Sequence, residues 1–399
     1  MKVSEIRVGA VIYHVNAVRV YALWIDAEGA QHHVDLGTTT EFLPKIDALR
    51  QELRDTMRVA RGQVPQLHAF MEHWGCHLLP EGLIEALPDV VVIVPHAILH
   101  DLPFHLVRCG AANEPLGMLT GVTYSSSMAL FARCASRNSA RYADLAAWTF
   151  DASGQLPPQN CPTPRTIVGC GTDVLDGKHD QFCRVAQEVD RFLRGNDSRI
   201  FCPSDGFPVD RYQAKAAFRV HPDVVCITAH GYVDPLDHLL SGLMLQHGDI
   251  LIGEHQILRP LGRFTIRDLP MRPFPVGVPT VGPAEILTAA ELTINAELDA
   301  RLVILLGCSA GWGRVLQGDE PASLAETFLH TGAISVLAPL WDSEFDAGRQ
   351  WILHFFQAWV AQGQPKALAA RYATRKLYDD MGGERPERYG VLTLRGDWL

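Results

Sequence analysis

Leu302-Val303-Ile304-Leu305-Leu306-Gly307-Cys308-Ser309-Ala310-Gly311 is a run of five apolar residues closed by a turn of small ones. An uninterrupted apolar pentapeptide has no wet face, so it reads as a strand covered on both sides, as in a parallel sheet. Val224-Val225-Cys226-Ile227-Thr228 has the same form and closes on Ala229-His230-Gly231, and Val90 to Val94 and Ile167-Val168-Gly169 repeat it. Between these runs the period becomes helical. Helices are predicted for Arg184 to Leu193, for Ile286 to Leu298 with Leu287, Glu291, Ile294 and Leu298 on one face, for Leu324 to Leu329, and from Phe345 and Ala367, with a further strand over Ile334 to Leu340. Apolar strands separated by amphipathic helices predict an α/β fold with a mainly parallel sheet.

Outward from this centre, the first 35 or so residues alternate as strands do, with Val11, Tyr13 and Val15, then Val18, Val20 and Ala22, and a turn at Ala27-Glu28-Gly29, which predicts a β-meander. From Thr40 the period changes, and Ile46, Leu49, Leu53 and Met57 share a helix face that Gly62 and Pro65 bring to an end. Residues from about 137 to 164 are rich in Ser, Gln, Asn and Pro and read as a linker, with a boundary near Pro157. This divides the chain into two packed halves, 1–156 and 157–399. A second irregular stretch runs from Gly248 to Pro283, where Pro260, Pro270, Pro273, Pro275 and Pro279 oppose regular structure, so an insertion over about 249–283 is expected.

With 47% apolar and 20% charged residues the chain buries a large core. A net charge of -10 without Lys or Arg runs argues against nucleic acid as a partner. Met1 to Ala10 has no apolar leader segment and no apolar stretch reaches the ~18 residues that span a bilayer, so no membrane partner is expected and the compartment is expected to be the cytoplasm. Nine cysteines without paired spacing suit a reducing compartment, where most, such as Cys170 and Cys226, are inert core thiols. Neither CxxC nor HExxH spacing occurs, and no metal or cofactor is expected.

In parallel sheets reactive groups gather beyond the carboxyl ends of the strands. Two ends carry complementary chemistry: His230-Gly231 and Gly307-Cys308-Ser309-Ala310-Gly311. A Cys becomes a nucleophile when a His within reach takes its proton, and the adjacent glycines leave main-chain N–H groups free for a developing oxyanion. The same pentapeptide also spells G-x-S-x-G, the nucleophile elbow of α/β-hydrolases. On that alternative Ser309 attacks, Asp342 or Asp346 is the acid and His354 the base. Against it, Trp312 to Glu320 carries Gly313 and Gly318 and reads as a loop where an elbow leads into a helix, and His354 falls within the apolar stripe Ile352, Phe355, Phe356 and Trp359.

Six ordered stretches make the chain resemble the CHAT domain family, caspase-related cysteine peptidases found beside TPR repeats and in bacterial conflict systems. They are Val94-Pro95 to Leu102-Pro103-Phe104; Ala186-Gln187-Glu188-Val189; His230-Gly231 with Ser241-Gly242-Leu243-Met244-Leu245; Leu305 to Gly311; Gly318-Asp319-Glu320 with Gly332-Ala333 and Leu340-Trp341; and Tyr389-Gly390 to Gly396-Asp397. The resemblance implies a caspase-like three-layer α/β sandwich, a structural first half and a catalytic second half. It implies a cysteine endopeptidase with His230 as general base and Cys308 as nucleophile, and the N–H groups of Gly231 and Cys308 as the oxyanion hole. The spacing from His230 to Cys308 exceeds the roughly 50 residues of caspases, the surplus being the Pro-rich insertion. Family relatives that cut after Arg or Lys commonly carry Asp two places before the Cys; Leu306 stands there, and Trp341, Asp342 and Asp346 are the candidates for the substrate pocket, with Asp342 and Asp346 alternatively capping the helix near Phe345. A protein or peptide substrate and control by a protein partner are expected. A non-catalytic CHAT-like adaptor is the alternative of a different class.

Overall fold

A computed structural model describes residues 5–142, 166–170, 185, 188–189, 198–201, 218, 222–232, 238–246, 250–252, 256–258, 285–295, 298–306, 310–311, 314–315, 321–342 and 345–399. In chain order its main elements are β1 (Val8–Val15), β2 (Arg19–Ile25), β3 (Gln31–Thr38), α1 (Thr39–Arg54), β4 (Val90–Val94), β5 (Gly121–Tyr124), α2 (Met128–Tyr142), β6 (Thr166–Cys170), β7 (Ser198–Phe201), β8 (Val224–Thr228), β9 (His230–Tyr232), β10 (Gly242–Gln246), β11 (Glu285–Thr288), α3 (Ala289–Asn295), β12 (Leu302–Leu306), α4 (Leu324–Thr331), β13 (Ser335–Pro339), α5 (Phe345–Phe356), α6 (Lys366–Asp380) and β14 (Leu392–Gly396).

Successive residues of the apolar strands serve different helical layers. Val224 and Cys226 of β8, and Leu302, Ile304 and Leu306 of β12, join a core with α1, α5 and α6. Val225, Ile227, Val303 and Leu305 join a second core with α2, α3 and α4. Two covered faces make the three-layer α/β/α sandwich and explain why these strands contain no polar residue facing water.

Eleven strands form one sheet in the order β3-β2-β1-β4-β5-β14-β13-β12-β8-β6-β7. It is mainly parallel; the antiparallel pairs are the predicted meander β1-β2-β3 at one edge and β14 against β13 in the middle. β14, the closing strand, lies between β5 and β13 and joins strands from the two parts of the chain. The boundary expected near Pro157 lies outside the described residues. Among the described residues no helix is long and apolar enough to cross a membrane.

Three sequence expectations change. The first helix stops at Arg54 and restarts over Thr56–Ala60, because the Asp55 N–H turns to Glu52 O and tightens the last turn. The stretch from Ile286 is not helical from its start, as Glu285–Thr288 is a strand. The stretch expected to lack regular structure opens with an antiparallel hairpin, Ile250–Ile252 with Gln256–Leu258, ahead of its first proline, Pro260; residues 259–284 lie outside the described residues.

Two of the resemblance motifs meet in one packing joint. His105, just after Leu102-Pro103-Phe104, is buried; its Nε2 donates to Gly390 O (2.8 Å), so its Nδ1 accepts from the Tyr124 hydroxyl (2.8 Å). A side chain at Gly390 would put Cβ within 2.5 Å of Leu106. Burial holds the His105 pKa down at about 4, outweighing the Gly390 hydrogen bond. The unfolded chain protonates this histidine near 6.5 and the folded chain only near 4. Stability is therefore present in full above pH 6.5 and is lost as pH falls through that window, by about 3 kcal/mol. Urea midpoints from pH 7 to 4 in wild type and His105→Leu check this: the variant is expected to show a shallower acid decline.

Candidate active site

β8 and β12 are neighbours, parallel and in register, with Thr228 opposite Leu306. The pairing extends one residue further, where Ala229 N–H donates to Leu306 O (3.3 Å). His230 is the second residue beyond Thr228, and Cys308 the second beyond Leu306. The backbone of His230 opens β9; its side chain, and residues 307–309 including Cys308 and Ser309, lie outside the described residues.

After Ala229 the chain leaves the main sheet for a small antiparallel one, β9-β10-β11. There His230 stands opposite Met244, the half-buried Gly231 opposite Leu243 and Tyr232 opposite Gly242. The Ser-x-Leu-x-Leu motif has a packing reason, since Leu243, Leu245 and Leu287 are buried in the second core. Gly242 is required by close approach: a Cβ there would lie 2.1 Å from Leu287 O. The His230 segment is thus held from behind by packed leucines.

Ala310 and Gly311, which follow residues 307–309, are held by three hydrogen bonds. Ala310 O accepts from Ala325 N–H (3.1 Å) in the first turn of α4, whose Ser323 Oγ caps Glu326 N–H (3.1 Å). Gly311 N–H donates to Pro339 O (2.9 Å), and Gly311 O accepts from Arg395 Nη2 (2.9 Å). Arg395 Nη1 in turn pairs with Glu326 Oε1 (3.1 Å), both side chains being buried. The sequence reading missed this pair. Its signals were a lone arginine inside the apolar strand Leu392–Gly396 and the capping-box pattern Ser323-x-x-Glu326, whose glutamate the fold directs to Arg395.

The pocket candidates separate. Trp341 is fully buried and its indole N–H donates to Glu387 O (2.9 Å), a core position. Asp342 is nearly buried just past the end of β13. Asp346 is exposed in the first turn of α5, where Arg349 Nε (2.9 Å) and Gln350 Nε2 (2.6 Å) donate to its carboxylate. Arg349 also binds Glu188 (2.8 Å), which with Asp346 raises the Arg349 pKa. His354 sits nine residues into α5, about 13 Å along the axis from its start, with its Nε2 3.5 Å from Asp380. That distance removes it from the strand ends where Ser309 would need a base, and the chain after Gly311 next enters the short strand Arg314–Val315 paired with Pro321–Ala322.

The first part of the chain also reaches the site. After β4 the turn Ala97–Asp101, with Ala97 at φ 52°, packs against Arg314–Val315. Asp101 is buried, which raises its pKa, and lies 2.7 Å from Arg50 Nε. Among the described residues no group of three or more His, Cys, Asp or Glu side chains is placed to hold a metal ion.

Residues 76–389 match the sequence model of the CHAT domain. The chain belongs to the CHAT domain family. Among solved structures, this CHAT domain is similar to two crystal structures of the Saccharomyces cerevisiae separase–securin complex, with TM-scores of 0.57 and 0.59 at 10% and 9% identity. Each likeness covers 99% of this chain and 30% of the separase chain, so the protein spans about a third of separase. It is also similar to the Arg-specific cysteine proteinase gingipain R, over 90% of this chain and 75% of that one, at 11% identity and a TM-score of 0.45. A comparison with curated proteins gives no match. The separase likeness identifies the fold as caspase-like.

Proposed function

We propose that this CHAT domain is a cysteine endopeptidase in which His230 is the general base and Cys308 the nucleophile. The register of β8 and β12 carries the reading. Adjacent parallel strands run ~4.8 Å apart, and His230 and Cys308 stand at equal steps beyond the facing pair Thr228 and Leu306. This matched register supports a reading in which the imidazole and the thiol work together beyond the two strand ends, beside the start of α4, whose Ala325 N–H donates to Ala310 O. A helix N-terminus favours a thiolate.

In this reading His230 takes the Cys308 proton, the thiolate attacks the scissile carbonyl, and the N–H groups of Gly231 and Cys308 hold the oxyanion. His230 then protonates the leaving amine. A water activated by the same imidazole releases the acyl group. The substrate is a protein, selected under the control of a protein partner. Residues 1–156 support the cleft and 157–399 carry the chemistry. Asp342 and Asp346 are the candidates for a pocket acid, Asp346 being held by Arg349.

Alkylation by iodoacetamide as a function of pH, located by mass spectrometry, tests the dyad. Three of the other thiols compete poorly, since burial pushes Cys109 and Cys134 up to about 11 and Cys226 up to about 12. Cys308 is expected to label selectively near neutral pH, and more slowly in His230→Ala. Labelling of Cys308 no faster than the core thiols would overturn the reading and leave a CHAT domain that binds without cutting.

A further inference from the structure

We propose that Arg395 and Glu326 are the positioning device of the Cys308 turn, an inference that rests on Cys308 being the nucleophile. Leu306 is fixed in the sheet, Ala310 and Gly311 are fixed by three hydrogen bonds, and only three residues lie between. Cys308 is the middle one. Gly311 lies so close to the end of β13 that a Cβ there would be 2.7 Å from Pro339 O. Whatever holds Gly311 therefore anchors one end of the segment that carries Cys308.

Arg395 holds Gly311 from a rigid place. It lies in β14, opposite Val336 of β13, and its fork spends one nitrogen on Gly311 O and the other on Glu326. Glu326 belongs to the same first turn of α4 whose Ala325 N–H holds Ala310 O. One charged pair thus ties the central strand, the helix start and the turn exit together. Stability alone explains the pair poorly. Arg395 Nε and Glu326 Oε2 are buried without hydrogen-bond partners among the described residues, and a buried ion pair with unmet polar atoms gains little or nothing over an apolar replacement.

The test uses the full chain with Arg395→Met, Arg395→Lys and Glu326→Gln, and Thr393→Val as the control. Thr393 lies on the same strand, two residues away, and its hydroxyl bonds Ala338 O (3.1 Å) without touching the turn. Hydrogen–deuterium exchange of the peptide covering residues 306–311 reads the turn itself, and the pH profile of Cys308 alkylation by iodoacetamide reads the consequence. Exchange over 306–311 is expected to quicken at least about tenfold in Arg395→Met and Glu326→Gln. Arg395→Lys, which keeps the charge but loses the fork, is expected to fall between these and wild type. The neutral-pH alkylation rate is expected to drop by a similar factor, while Thr393→Val lowers the melting temperature and leaves both readouts unchanged. Folded Arg395→Lys and Glu326→Gln proteins with wild-type exchange over 306–311 would overturn the inference. A sluggish Cys308 in wild type would instead defeat the dyad, with exchange still deciding the anchor.

Discussion

Cys308→Ala is expected to lower kcat/KM for peptide hydrolysis by about 10⁴-fold or more, because removing the nucleophile of a paired site removes the pathway and not one contact within it. His230→Ala should cost nearly as much, and the double variant little more than either, since two residues acting as a unit are not additive. Ser309→Ala should stay within about tenfold, the scale of a single hydrogen bond. Turnover of a quenched-fluorescent peptide library by the four proteins checks the set. The reverse ranking, Ser309→Ala inactive and Cys308→Ala active, would return the site to a serine hydrolase. The geometry opposes that outcome, because His354 is engaged with Asp380 well along α5.

The stability of the wild-type protein is expected to rise by about 4 kcal/mol between pH 7 and pH 10 through one lysine. Lys366 begins α6 with its side chain wholly buried, and its Nζ lies 3.5 Å from Arg301 O, at the edge of β12 opposite the candidate site. Burial lowers its pKa to about 7, with Asp397 only partly offsetting this. The unfolded chain keeps that proton up to about pH 10.5, so between the two values it binds more protons than the folded chain, and raising pH favours the fold. The contribution is lost as pH falls through 7. Denaturant midpoints at pH 7 and 10 should separate in wild type and converge in Lys366→Met; equal separation in both would show that the slope comes from other groups.

The parallel strands were legible because burial on both faces leaves an unbroken apolar signal, and Val90–Val94, Val224–Thr228 and Leu302–Leu306 appear where that signal places them. Where two periods fit the same residues, local reading failed. Ile286 and Leu287 suit a helix face as well as a strand, and the fold makes them strand. The start of α3 is marked by a reciprocal cap, with Glu291 N–H donating to Thr288 Oγ1 (3.2 Å) and Thr288 N–H to Glu291 Oε2 (3.4 Å). That Thr-x-x-Glu pattern was present in the sequence and is the better guide; Ile294, expected on the packed face, is 80% exposed. The family motifs were legible as patterns but not as roles. Leu-Pro-Phe and Tyr-Gly prove to be two sides of the His105 joint, and Trp341 is a core residue bonded to Glu387.

By itself, then, the sequence determined the layered α/β class and the two strand ends that finish in His and Cys, since both follow from local composition and the need to bury apolar faces. Only the tertiary structure decided that Thr228 stands opposite Leu306, that the closing strand enters the middle of the sheet, and that Arg395 reaches both Glu326 and Gly311. Register and partner choice between distant segments depend on how whole faces pack together, and no window of neighbouring residues carries that information.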